Sequence, residues 1–180
     1  MTLKERMNKE IVPELCKQWS VPALALPCIK KVTVNTGVGR IKESKEELEN
    51  IVRELTKITG QKPKSNAAKK SISTFKLRKG QVVGYSVTLR GNRMYDFLER
   101  LINIVLPRSR EFEGIRYKSF DRSNNLTIAL KEQNIFPEIR ADDIKQAWGM
   151  SITVSINNAK NRENVVEYLR KIGFVFEKEQ

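Results

Sequence analysis

GQKPKSNAAKKSISTFKLRKGQVVGYSVTLRG, residues Gly60 to Gly91, decides how the rest of the chain is read. From Leu55 to Tyr95 there is no acidic residue, yet ten basic ones occur: Lys57, Lys62, Lys64, Lys69, Lys70, Lys76, Arg78, Lys79, Arg90 and Arg93. The whole chain carries 34 Lys and Arg against 21 Asp and Glu, a net charge of +13, so this window holds +10 and all the rest only +3. Val83, Tyr85, Val87 and Leu89 alternate with Gly84, Ser86, Thr88 and Arg90, the period of a half-buried strand. Upstream, Lys70 to Phe75 offers the β-compatible Ile72 and Thr74, and Lys79-Gly80-Gln81 offers a turn. The stretch predicts a long basic β-hairpin over about residues 62–90, with its turn region near Ser73 to Gln81. Lysines on an edge strand can simply block aggregation. A solvated face normally mixes signs, however, and a window with no acid at all suits a phosphate backbone better.

Working outward, Leu3, Met7, Ile11, Leu15 and Trp19 form a helical stripe interrupted by Pro13. Val21 to Pro27 reads as an apolar connector packed on the domain. Cys28 to Thr36 reads as a strand, ended by Gly37-Val38-Gly39. Ser44 with Glu47 forms a capping-box signature for a helix through Leu48, Ile51, Val52, Leu55 and Ile58, with Gly60 at its C-terminus. After the hairpin, Asn92 is placed to cap a helix through Met94, Phe97, Leu98, Leu101, Ile102 and Val105 that stops before Pro107. Pro107 to Asn125 reads as an exposed loop with one short strand. Leu126 to Lys131 and Met150 to Ile156 alternate as strands, Phe136-Pro137 anchors the linker between them, and Asn161 opens a last helix ended by Gly173. The order predicts one α+β domain over residues 1–180, an antiparallel sheet with helices packed on one face. The other face is open, and its outward residues include Asn35, Thr88, Arg90, Ser151 and Thr153, as an RNA-docking surface requires.

Composition narrows the function. The chain has 180 residues, 39% hydrophobic and 31% charged, with no apolar run near the roughly 20 residues of a membrane span. Its charged N-terminus lacks a signal peptide's apolar core, so the expected location is the cytosol. There is no histidine, which removes Ser-His-Asp and Cys-His catalysis and imidazole metal ligation. Cys16 and Cys28 fit neither a CxxC nor a zinc pattern and read as buried thiols. No cofactor is expected. Gly37-x-Gly39 continues to Lys42 where a dinucleotide fingerprint needs glycine, no glycine is followed by lysine, and no GxxG occurs. Asp142-Asp143 is the one adjacent acid pair with catalytic potential, and it supports an alternative reading as a magnesium-dependent enzyme acting on RNA or phosphorylated substrates. The same pair suits the start of a short helix. Aromatics are 7% of the chain, which favours structured RNA over stacked single strands. No strongly basic amphipathic helix supports membrane binding.

VTVNTGVG (Val32 to Gly39), TGQKP (Thr59 to Pro63), AKKSI (Ala68 to Ile72), VTLRGNRMYDFL (Val87 to Leu98), LPRSREFEG (Leu106 to Gly114), KEQNIFPEI (Lys131 to Ile139) and WGMSITV (Trp148 to Val154) occur in order. Together they resemble the bacterial ribosomal protein L-five family, across about Lys9 to Phe176. The resemblance implies a structural protein of translation, without catalysis, that attaches 5S ribosomal RNA to the large subunit in its central protuberance. It also implies contacts with large-subunit ribosomal RNA, P-site transfer RNA, a small-subunit head protein and neighbouring large-subunit proteins, in a chain that is monomeric when free. The family's 5S-contacting positions fall on Asn35, Gln61, Thr88, Arg90 and Gly91. Its transfer-RNA contact falls on the hairpin at Ser73, Thr74, Phe75, Lys76, Arg78 and Lys79, and Lys62, Lys64, Lys69 and Lys70 are left to other ribosomal RNA backbone. This chain departs from the family in having Thr74 where a tip glycine is usual, Asp121-Arg122-Ser123-Asn124-Asn125-Leu126 where DGRGNY is usual, and Trp148 at a position often basic.

Overall fold

Alternation in the sequence becomes alternation in burial. The computed structural model describes residues 1–39, 45–109, 112–140 and 146–177. In strand β1 (Cys28–Gly37) Val32, Val34 and Thr36 point inward, while Asn35 is exposed. Strands β3 (Val82–Leu89), β4 (Leu126–Leu130) and β5 (Met150–Asn157) repeat the pattern, burying Tyr85, Val87 and Leu89, then Leu126, Ile128 and Leu130, then Met150, Ile152, Val154 and Ile156. With β2 (Lys64–Ala67) they make a five-stranded antiparallel sheet in the order β2-β3-β1-β5-β4, an α+β fold as predicted. The residues between the apolar ones are short and polar: Thr33, Ser86, Thr88, Ser151, Thr153 and Ser155.

Contacts divide the chain into two compact units, each assembled from separated segments. The first comprises Met1–Val32, Leu89–Ile128 and Thr153–Gln180. Its core takes Leu3, Met7, Ile11 and Leu15 from the N-terminal helices, Phe97, Leu98 and Leu101 from the middle of the chain, and Val165, Leu169 and Ile172 from its end. The second comprises Thr33–Thr88 and Ala129–Ile152, and helix α3 (Lys45–Thr59) supplies it with Ile51, Leu55 and Ile58.

The helical stripe interrupted at Pro13 restarts there, whereas the helix expected to stop before Pro107 runs past it. After α1 (Leu3–Arg6), the segment Met7–Ile11 widens to a π turn in which the Val12 N–H reaches the Met7 carbonyl, and α2 (Val12–Trp19) then carries Pro13 in its first turn. The second case has the same spacing. Helix α4 (Gly91–Arg100) runs into a π turn at Leu101–Val105, and α5 (Leu106–Arg108) carries Pro107. A proline lacks the N–H that an α-turn needs and its ring crowds the preceding turn, and one widened turn accommodates both. The helix therefore does not stop before Pro107. Asn92 does not cap it either: Arg90 holds the N-cap position, and Asn92 Oδ1 accepts from Lys4 Nζ at 2.9 Å.

Other expectations are corrected by burial. Cys28 is exposed and Cys16 half-buried, so the thiols are not core residues. In the connector only Leu26 and Pro27 are buried, and Leu24 is 92% exposed. Among the described residues from Pro107 to Asn125, the predicted loop is pinned at Ile115 and Phe120. Ile115 pairs with Phe176, Phe120 is buried against the Phe176 ring at 5.9 Å, and Arg170 lies over that same ring. The turn lacking the family's glycines is made by Asn124 in the left-handed region at φ 58°, which asparagine tolerates. The Asp121 carboxylate secures it, accepting from the Ser123 and Asn125 N–H groups and from Asn125 Nδ2, each at 2.8 Å. Gly60 and Gly173 end their helices as expected, with Gly60 N–H on the Thr56 carbonyl at 2.8 Å. Helix α6 (Arg162–Ile172) follows Asn161, and Phe136 anchors its linker at 1% exposure. The Ser44 capping box lies outside the described residues.

Candidate nucleic-acid interface

The hairpin forms, with its second strand where the alternation placed it and its first strand earlier in the chain than predicted. β2 pairs antiparallel with β3 in the register Lys64↔Ser86, Ser65↔Tyr85 and Asn66↔Gly84, then slips before Ala67↔Val82. Lys70 to Phe75 is not a strand. Beyond Ala68, whose N–H reaches the Gln81 carbonyl, the chain narrows to a tip closed by two bonds between Ile72 and Leu77. Ser73–Phe75 makes a single 3₁₀ turn and Lys76 takes the left-handed conformation at φ 48°. Gly80, with φ 88°, bends the returning arm rather than forming the tip. Every residue from Lys69 to Lys76 is exposed, so no apolar face is available to hold a strand there.

The tip carries the predicted charge. Lys69, Lys70, Lys76, Arg78 and Lys79 are all exposed, together with Phe75 at 64% and Ile72 at 45%. Two side chains shape the returning arm: Ser71 Oγ accepts the Lys79 N–H at 2.9 Å and Gln81 Oε1 accepts the Arg78 N–H at 3.3 Å. Lys62 and Lys64 are exposed at the base.

Three of the residues expected to contact RNA belong to the second unit and lie at three separate places along its Thr33–Thr88 segment. Asn35 is exposed on β1. Gln61 follows α3 and its Nε2 reaches the carbonyl of Thr88 on β3 at 3.4 Å, which brings these two together. Thr59, buried beneath, holds that corner by donating to the Leu55 carbonyl at 2.7 Å and accepting from the Gln61 N–H at 3.3 Å. Arg90 and Gly91 are exposed where β3 gives way to α4, and Gly91 has φ 61°, a value that favours glycine. Tyr85 points to the opposite side, and burial first, then the nearby Glu49 charge, hold its phenol above the ordinary value.

The pairing register adds Asn66 and Ser86, which sequence reasoning missed as site residues, beside the predicted Lys64. Facing partners on an antiparallel pair share a side, so Lys64 and Asn66 stand on the same side as Ser86 and Thr88, and Ser86 Oγ bonds Asn66 Oδ1 at 3.3 Å. KSNA has no β-branched or aromatic residue, so nothing in it signalled a strand. Conversely, two signature motifs turn out to be internal. Gln133 is fully buried, Trp148 is 5% exposed, and a side chain on Gly149 would meet the Leu130 carbonyl at 3.0 Å.

Residues 24–78 match the family model for ribosomal protein L5, and residues 82–176 match the model for the C-terminus of the same ribosomal L5 family. The chain belongs to the ribosomal protein L5 family. As an L5-family protein it is a component of the large ribosomal subunit, a structural rather than enzymatic class. The two L5 matches meet between residues 78 and 82, on the returning arm of the hairpin. Among the described residues no group of three or more Cys, Asp or Glu is placed to hold a metal, and Asp142 and Asp143 lie outside them. Among the described residues no helix is long and apolar enough to cross a membrane.

Proposed function

We propose that this chain fastens 5S ribosomal RNA to the large subunit through Asn35, Gln61, Thr88, Arg90 and Gly91, and that its hairpin tip, Ser73 to Lys79, touches P-site transfer RNA. Lys62, Lys64, Lys69 and Lys70 take the backbone of other ribosomal RNA. A small-subunit head protein and neighbouring large-subunit proteins complete its partners. The observation that carries this reading is the Gln61 to Thr88 bond, which draws two neutral hydrogen-bonding residues from distant segments to one place. Neutral donors and acceptors on short side chains read base edges and 2′-hydroxyls, whereas exposed lysines supply attraction without sequence.

Filter binding of 5S ribosomal RNA to the intact protein tests the division of labour. Asn35→Ala and Thr88→Ala are expected to weaken binding by about 1–3 kcal/mol while leaving its salt dependence unchanged. Loss of 5S binding on removing Lys76, Arg78 and Lys79, with no effect of Thr88→Ala, would show that charge alone carries the interaction.

A further inference from the structure

Glu54 is a carboxylate on α3 that is only 8% exposed, set between the buried Leu55 and Ile51 turns. Its Oε2 accepts from the Trp148 indole N–H at 2.7 Å and from Gln133 Nε2 at 3.3 Å. Gln133 is itself fully buried: Nε2 also donates to the Gln146 carbonyl at 2.7 Å, and Oε1 accepts the Trp148 backbone N–H at 2.9 Å. A buried carboxylate is costly unless its hydrogen bonds are made, and an apolar cluster of similar volume is often as stable. Such a network does what an apolar cluster cannot: it fixes the direction and register of the chain it holds.

The chain held here leads directly to the proposed RNA contact. One residue after Trp148, the Gly149 carbonyl accepts from Thr36 Oγ1 at 2.8 Å, and Ser151 Oγ donates to the Asn35 carbonyl at 3.4 Å. Gly149 sits so close to the Leu130 and Lys131 carbonyls, 3.0 and 3.2 Å from where its Cβ would lie, that the segment has little room to shift. We infer that Glu54, acting through Trp148 and Gln133, is a positioning residue that sets the placement of Asn35 for RNA. The inference rests on the reading of Asn35 as a 5S contact. It also accounts for a tryptophan at position 148, whose indole N–H is used internally and whose ring is withdrawn from solvent.

The test compares the double variant Glu54→Leu/Trp148→Phe with Asn35→Ala, each in the full chain. The double variant removes the acid and the indole N–H together and leaves Gln133 Nε2 its bond to the Gln146 carbonyl, so its urea midpoint should fall by no more than the loss of one buried hydrogen bond. Its 5S affinity should nevertheless fall on the order of 3- to 10-fold with an unchanged salt slope, and the Asn35 side-chain amide resonance should move. Glu54→Gln, which keeps an oxygen for the indole N–H, should restore parental binding. If the double variant does not fold, Trp148→Phe alone is read by the same comparison. Parental 5S affinity in the folded variant, alongside a loss in Asn35→Ala, overturns the positioning role. Parental affinity in Asn35→Ala itself overturns the RNA contact, and the positioning role with it.

Discussion

At the scale of single residues, the structure assigns to side chains several tasks that glycine would otherwise perform. Asp121 is the clearest case. Burial pushes its carboxyl up, but the bonds from the Asn125 side chain and from the Asn125 and Ser123 backbone, with the Arg162 charge, outweigh that and hold it below the ordinary value. A carboxyl depressed in the folded state stabilises the turn fully above its unfolded pKa, near 4, and loses that contribution as the pH falls through the lower folded value. Amide exchange at Ser123 and Asn125 should therefore be slow and constant above about pH 5 and accelerate below about pH 4, relative to its intrinsic rate. Asp121→Ala should show the fast pattern at every pH, and a pH-independent protection in the parent would contradict the assignment. Position 84 shows the opposite economy. A Cβ there would lie 2.7 Å from the Thr36 carbonyl, so glycine is needed for strand approach. That need was invisible in the alternation around Tyr85, because it depends on β1.

At the scale of elements, the strands and helices with their own periodic apolar pattern were legible in the sequence, and those formed by pairing or by relief of strain were not. β1, β4, β5 and α6 bury the residues that the alternation or the helical stripe marked, and β3 and α3 bury most of theirs, leaving Val83, Leu48 and Val52 half-buried. β2 forms because β3 is there to pair with it, and the π turns exist because Pro13 and Pro107 would otherwise leave the ladder broken. The basic window announced the tip's chemistry but not its shape, since Lys70 to Phe75 has strand propensity but is exposed throughout and has no apolar face to bury. The tip's own bonds, from Ile72 to Leu77 and from Ser71 and Gln81, do not involve the charged ends of Lys76, Arg78 and Lys79. Replacing those three by alanine should therefore leave the fold and isolated 5S binding intact. It should weaken transfer-RNA binding and lower the magnitude of its salt slope by about 2 to 3, which a salt series with labelled transfer RNA measures. An unchanged slope would mean that the tip is not the surface transfer RNA meets.

At the scale of the whole molecule, the distribution of charge and of neutral polar residues leads to one further expectation. Ten positive charges of a net +13 are confined to residues 55–95, whereas Asn35, Gln61 and Thr88, three of the five residues proposed to read 5S RNA, contribute no charge. A protein built this way has two kinds of RNA affinity with different salt dependence. The proposed contacts through Lys76, Arg78 and Lys79 would release counterions and weaken steeply as salt rises, while the proposed hydrogen bonds from Asn35, Gln61 and Thr88 would not. Titrating the full chain against 5S ribosomal RNA, with transfer RNA as competitor from low to moderate salt, should show 5S binding that persists and a competitor that loses its effect as salt increases. Mutating Gln61 to Ala removes one amide without altering charge, so it should lower the 5S plateau at every salt concentration by the same factor. Equal binding of both RNAs, collapsing together as salt rises, would reduce the interface to its basic window and leave the open side of the sheet without a role in recognition.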